Sequence, residues 1–178
     1  MTSDPPRPVV VDASVAVALL IEEPGADRAT TILRERDARQ GKIMVPAFFW
    51  LEVVNVLVRR YRQPPGLVLQ SMIDLEVLGL ESVPLDRPHL LLTIDAMGRG
   101  DLSAYDASYL ALAESADADL LTFDRRLAAA AGSRALSLGP GHSIQEASAS
   151  YGPLWAEWPG AAAYLKQLRA EVMRQANG

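Results

Sequence analysis

Pro8-Val9-Val10-Val11-Asp12-Ala13-Ser14 is the stretch on which the reading of this chain turns. Three consecutive β-branched apolar residues behind a proline predict a short strand over residues 8–11, buried on both faces. The Asp-Ala-Ser that follows predicts the turn into a helix, with Asp12 at the carboxyl end of the strand. A strand buried on both faces belongs to a layered α/β domain, so the rest of the chain is expected to alternate strands with helices.

Outward from that stretch it does so. Residues 26–39 carry helical spacing with a charged face and stop at Gly41, and residues 42–45 read as a second strand ended by Pro46. Residues 47–62 form the most apolar helix, expected to be buried on most faces, and residues 64–80 return as the second arm of a helical hairpin behind Pro64-Pro65. A strand over 81–85 precedes Asp86-Arg87-Pro88, an N-cap followed by proline, and a helix that runs to Gly98-Arg99-Gly100. Ser103 opens the next helix, predicted to carry Tyr105, Tyr109, Leu110 and Leu112 into the core. A fourth strand over 120–123 leads to Asp124, and residues 134–138 are a candidate fifth. The prediction is a three-layer α/β/α domain over residues 1–138, with a mostly parallel sheet of four to five short strands. Ligands of such sheets bind outside the carboxyl ends of the strands, where Asp12 and Asp124 stand. Residues 139–160 are rich in Gly, Pro and Ser and include Trp155 and Trp158. Residues 161–175 resume an amphipathic pattern with Tyr164, Leu165, Leu168 and Val172 on one stripe. That tail is expected to pack on the core or to meet another chain.

Composition sets the bounds. With 178 residues, 49% of them apolar, the chain buries one substantial core. Having no Cys, it has no disulfide framework, thiolate metal site or catalytic thiol, and the expected location is the cytoplasm. No signal-like N-terminal stretch and no apolar run near the roughly 18 residues of a membrane span is present, so neither secretion nor membrane insertion is expected. A net charge of −5 opposes bulk coating of nucleic acid. The positive charge is nearly all Arg, clustered at Arg59, Arg60 and Arg62 and at Arg125 and Arg126. Guanidinium groups suit phosphate, and they equally suit solvated helix ends.

Four acids carry the functional reading: Asp12, Glu52, Asp106 and Asp124. Asp12 and Asp124 each precede a helix and serve as N-caps on the simplest view, and Asp106 follows Ser103 by three residues, as in a capping box. Glu52 has no such explanation. It interrupts Phe48-Phe49-Trp50-Leu51-Glu52-Val53-Val54-Asn55-Val56, and the first cation on its stripe is Arg59, two turns away. A buried carboxylate needs a metal or a set of hydrogen bonds. Its coincidence with three rim acids favours a hard cation such as Mg²⁺ or Mn²⁺.

The words Val-Val-Val-Asp-Ala-Ser, Trp-Leu-Glu-Val-Val-Asn-Val-Leu, Leu-Ser-Ala-Tyr-Asp-Ala-Ser-Tyr-Leu-Ala-Leu-Ala-Glu and Leu-Leu-Thr-Phe-Asp-Arg-Arg-Leu, in this order, resemble those of the PIN-domain nucleases. The chain looks most like the VapC-type toxins of bacterial toxin and antitoxin pairs. The resemblance covers residues 8 to about 138 and implies that Asp12, Glu52, Asp106 and Asp124 hold Mg²⁺ or Mn²⁺ for catalysis. It places Ser14 and Thr122 as hydroxyls orienting carboxylate or water, where strand or cap hydroxyls are the plainer reading. Asp95 and Asp101 fall outside the matched words. Arg59 and Arg125 are the candidate contacts to RNA phosphate. The resemblance further implies cleavage of single-stranded RNA leaving a 5′-phosphate, a homodimer, and a cognate antitoxin whose end covers the acidic site. Apolar grooves of the 47–80 hairpin would receive that antitoxin, and Trp155, Trp158 and the last helix are candidate partner contacts. Two readings compete: a catalytically silent metal-binding interaction module, and a receiver-like or phosphotransfer protein using Asp12 as nucleophile. The second needs another acid beside Asp12 and a nearby lysine, whereas the lysines here are Lys42 and Lys166.

Overall fold

The computed structural model describes residues 6–138. The expectations for Trp155, Trp158 and residues 161–175 lie outside the described residues. The described chain runs β1 (Val9–Val11), α1 (Ala13–Leu20), α2 (Ala26–Ala38), β2 (Ile43–Pro46), α3 (Phe49–Arg59), α4 (Pro65–Glu76), β3 (Glu81–Val83), α5 (Arg87–Gly100), α6 (Ala104–Ser115), β4 (Asp119–Leu121) and α7 (Arg125–Ala131), ending in a 3₁₀ turn at Gly132–Arg134.

The sheet is four-stranded, wholly parallel, in the order β3-β2-β1-β4. In β1, Val9 and Val10 are fully buried, as a strand covered on both faces requires. From β1 the chain steps outward through β2 to β3 and then returns to the other flank of β1 as β4, so the order reverses between β1 and β4. That reversal is the switch point at which open parallel sheets leave a crevice. β1 and β4 pair Val9 with Asp119, Val10 with Leu120 and Val11 with Leu121, and the Asp12 amide donates to the Leu121 carbonyl at 3.0 Å. The register thereby sets Asp12 level with Thr122 and just short of Asp124.

Three expectations need correction. Residues 134–138 form no fifth strand; Ala135 makes a single bridge to Leu120, and the Leu136 amide bonds the Leu120 carbonyl at 2.8 Å. The helix α3 is not buried on most faces: Phe49, Val53 and Leu57 are fully buried, while Leu51 is 73% exposed and Asn55 and Arg59 face solvent. The Phe49-Val53-Leu57 stripe is fully buried, while Trp50, Val54, Val56 and Val58 pack against the core only in part. The enclosed helix is α6, in which every residue from Ala107 to Ala113 is buried, because it lies across β1, β2 and β4 under α5 and α7. Tyr105, expected in the core, is 59% exposed, since it sits in the first turn of α6 beyond the sheet and packs edge-on against Phe48 at 5.3 Å.

Charge ties the ends of the layers. The Arg36 guanidinium on α2 bonds the Asp119 carboxylate at the start of β4 and the Arg7 carbonyl before β1, clamping both strands from one helix. The stops read from the sequence are present as bonds: Asp86 accepts from the His89 amide at 2.9 Å, and Ser103 accepts from the Asp106 amide at 3.1 Å. At the centre of the core Leu120 is fully buried, with β1 on one side and the Ala135 bridge on the other. Replacing Leu120→Ala is expected to cost about 2–5 kcal/mol, read as a lowered urea midpoint with an unchanged far-ultraviolet dichroism spectrum.

Candidate metal centre

At the carboxyl ends of β1 and β4 a cavity of about 210 Å³ is lined by Asp12, Ser14, Val17, Glu52, Val56, Asp106, Phe123 and Asp124. The structure therefore brings all four predicted acids to one crevice, each from a different element. Asp12 follows β1, Glu52 comes from the first turn of α3, Asp106 from the first turn of α6, and Asp124 precedes α7.

Each carboxylate has one oxygen held by a neighbouring donor. Asp12 occupies the N-cap position of α1 without capping it; instead its Oδ2 accepts from the Ser14 hydroxyl and from the Thr122 hydroxyl at 2.8 Å. Those hydroxyls are fixed in turn, since the Phe123 amide donates to Ser14 at 3.1 Å and the Asp124 amide donates to Thr122 at 2.9 Å. The Ser103 hydroxyl donates to Asp106 Oδ2 at 2.7 Å while accepting from the Asp106 amide, so one hydroxyl both caps α6 and holds the acid. Asp124 is an N-cap, its Oδ1 accepting from the Leu127 amide at 2.8 Å. Glu52 accepts on Oε2 from the Tyr109 hydroxyl at 2.5 Å, a donor on another helix that its own sequence neighbourhood does not reveal. Asn55, three residues on, is exposed.

Among the described residues no ion pair offsets this charge, whereas Asp117, Asp119, Glu81, Asp95 and Glu114 are all paired. The consequence is electrostatic. Burial, with the charge of Asp106 adding to it, raises the Asp12 carboxyl above the usual range against the hydrogen bonds of Ser14 and Thr122. Glu52 rises to about 7, chiefly through burial and further through repulsion by Asp12 and Asp106, with the Tyr109 bond opposing.

The donor set suits a hard divalent cation: carboxylate and hydroxyl oxygens, with no thiolate or imidazole lining the cavity. The acids share a crevice without closing a cage, for no three His, Cys, Asp or Glu side chains among the described residues are disposed to hold one ion. His89 is buried apart from the site, its ring bonded to the Ser108 hydroxyl at 2.8 Å. Lys42 pairs with Glu81 across the β2–β3 edge and so does not supply the lysine that a receiver-like site requires. Arg59 and Arg125 are exposed and do not line the cavity. Arg59, in the last turn of α3, sits favourably for the helix dipole; Arg125, in the first turn of α7, sits against it.

Comparison with known proteins bears on the same crevice. The PIN domain family model matches residues 9–133, a span that contains all four acids. The chain belongs to the PIN-domain family. Ribonuclease VapC3 of Mycobacterium tuberculosis, in strains CDC 1551 and H37Rv, is 40% identical over 130 residues, covering 72% of this chain and 90% of the relative. Among solved structures, a toxin-antitoxin complex from Klebsiella pneumoniae matches with a TM-score of 0.56 at 16% identity, over 74% of this chain and 98% of that one. Mycobacterium tuberculosis VapC20, a sarcin-ricin loop cleaving toxin, matches with a TM-score of 0.52 at 19% identity, over 68% and 94%. At those identities the structural likeness is one of fold.

Tyr109 was legible in this PIN domain only as a core aromatic. It lies three residues beyond Asp106, one helical turn along α6, and that spacing is the signal that would have drawn it toward the acids.

A pH prediction follows from Glu52. Its folded pKa of about 7 exceeds the ordinary 4.5, so between those values the folded state binds more protons than the unfolded chain. Its contribution is therefore full below about 4.5 and lost as the pH rises through about 7. In EDTA, the unfolding free energy is expected to fall across that window, and Glu52→Gln is expected to flatten the fall, as measured by denaturant titrations at successive pH values.

Proposed function

We propose that this PIN domain is a Mg²⁺- or Mn²⁺-dependent endoribonuclease, the toxin of a toxin-antitoxin pair. The observation that carries the reading is the convergence of Asp12, Glu52, Asp106 and Asp124 on one crevice without a compensating ion pair among the described residues, in a chain 40% identical to ribonuclease VapC3. Unpaired carboxylates so close together favour a divalent cation over water alone, because the cation relieves both their burial and their repulsion.

Bound among these acids, Mg²⁺ or Mn²⁺ supplies the field that activates a water near neutral pH and offsets charge developing on the phosphodiester. The residues of the chain supply position. Ser14 and Thr122 hold Asp12 by one oxygen, Ser103 holds Asp106, and the Leu127 amide holds Asp124. Each acid thus presents itself in a fixed orientation, and one of them accepts the proton of the attacking water. Arg125, beside Asp124 at the mouth, and Arg59, further along α3, are the groups we assign to the RNA backbone, which must approach an acidic protein. The substrate class is single-stranded RNA, cut to leave a 5′-phosphate, in the cytoplasm.

A toxin-antitoxin complex among the fold relatives supports an antitoxin partner. The α3–α4 hairpin offers it apolar surface, with Leu51 73%, Leu67 56% and Val77 83% exposed. A homodimer through α5 is supported by Leu90, Leu91, Ile94 and Met97, exposed along one helix at 47%, 59%, 56% and 37%. The rival reading is a silent metal-binding module, which would use the same acids.

RNA cleavage assays separate the two. The chain should cleave RNA with Mg²⁺ and stop in EDTA, and Asp12→Asn or Asp106→Asn should lower the rate at least about 100-fold with the fold intact; cleavage by Asp12→Asn at the unmodified rate would sink the assignment. Leu91→Arg with Ile94→Arg is expected to convert a dimer to a monomer in light scattering while leaving the unfolding midpoint nearly unchanged.

A further inference from the structure

The hydroxyl of Tyr109 touches a carboxylate that the proposed chemistry depends on, and nothing in the Asp-Glu-Asp-Asp pattern assigns it a task. We infer that Tyr109 is a positioning residue: it holds Glu52 by one oxygen so that the other faces the crevice, and it ties together the elements that carry Asp12, Glu52 and Asp106. The inference rests on the metal-dependent reading above.

The geometry is specific. Tyr109 is fully buried, and its hydroxyl donates to Glu52 Oε2 at 2.5 Å, within the range of charge-assisted O–H···O⁻ bonds. The other oxygen, Oε1, takes no side-chain hydrogen bond among the described residues. The ring of Tyr109 stands edge-on to Phe48 at 5.5 Å and 78°, and the Phe48 carbonyl accepts the Glu52 amide at 3.1 Å. Phe48 and Tyr109 therefore fix Glu52 from both ends, one at its backbone and one at its carboxylate. Helix α6, which carries Tyr109, also packs on β1, whose end carries Asp12. Asp106 lies one turn back on the same helix, so any shift of Tyr109 relative to α3 alters the spacing between Asp106 and Glu52.

A donor placed behind a metal-binding carboxylate sets its orientation, and removal of such a donor typically weakens metal binding about 10- to 100-fold. Tyr109→Phe keeps the ring and its contact with Phe48 and removes only the hydroxyl. Calorimetric titration of the full chain with Mn²⁺ is expected to show a Kd about 10- to 100-fold weaker for Tyr109→Phe. Against a Glu52→Gln background the same change is expected to have no effect on the Mn²⁺ Kd, because the hydroxyl acts through that carboxylate. Uptake of Mn²⁺ by the unmodified chain with an unchanged Kd for Tyr109→Phe overturns the inference and leaves the metal reading standing. An equal loss in both backgrounds also overturns it, since the hydroxyl would then act elsewhere. Failure of Tyr109→Phe to fold in EDTA overturns it in favour of a tyrosine that serves stability alone. Absence of Mn²⁺ uptake by the unmodified chain overturns the metal reading itself.

Discussion

The parallel pairing of β1 with β4 is the constraint on which the rest depends. Val11 opposite Leu121 brings Asp12 beside Thr122, and the Asp12 amide bond to the Leu121 carbonyl locks that level. In a parallel sheet a slip of one residue would reverse every side chain, turning Asp12 away from the crevice and a valine toward it. The slip is opposed from within the core, where Val9, Val10, Leu120 and Leu121 have no exposure. It is opposed from outside by Arg36, which grips the entrances of both strands. Stability and site geometry are thus set by the same few residues at opposite ends of two three-residue strands.

The acids at the far end divide from those elsewhere in a way that is informative about purpose. Along the outer faces, carboxylates find guanidinium partners: Asp117 bonds Arg7 at 2.6 Å and Arg134 at 2.9 Å, and its carboxyl lies below the usual range as a result. Those exposed pairs contribute little. In the crevice, Asp12 and Glu52 move the opposite way, because burial and the charge of neighbouring acids act on them with only hydroxyl and backbone amide donors in opposition. Two buried carboxylates raised by burial and by the charge of neighbouring acids are an electrostatic cost kept at one place, and such costs concentrate at functional sites.

How far this was readable before the structure depended on whether a feature is local. The strand at Val9–Val11, the Asp86 and Ser103 caps and the alternation of layers rest on near neighbours in sequence, and all are present. The core positions Tyr109, Leu110 and Leu112 of α6 are as the pattern predicts, whereas the exposure of Tyr105 and of much of α3 depends on what else lands on a helix. Nothing in Phe49–Arg59 says that only one stripe will be fully buried, nor in Ala104–Ser115 that three strands and two helices will enclose it. The same limit hid the partner of Glu52. Its donor is 57 residues away on a helix that meets α3 only at the sheet rim. The four acids escaped that limit because each sits in its own recognisable word, so their order could be read without knowing their distances. Arg59 and Arg125 had no such context, and neither reaches the crevice wall.

A site built this way couples ligand and fold. Any cation that binds the folded crevice and not the unfolded chain stabilises the protein by mass action, in proportion to the logarithm of its concentration over Kd. Here the coupling has an added source, because the cation also removes repulsion that the folded state alone carries. Each tether in the crevice leads back to a structural element: Thr122 to β4, Ser103 to the start of α6, the Leu127 amide to α7, and Tyr109 to the middle of α6. Drawing the carboxylates inward around an ion would therefore pull on β4, α6 and α7 at once. The repulsion between the carboxylates acts against those tethers, and a cation bound there would relieve it.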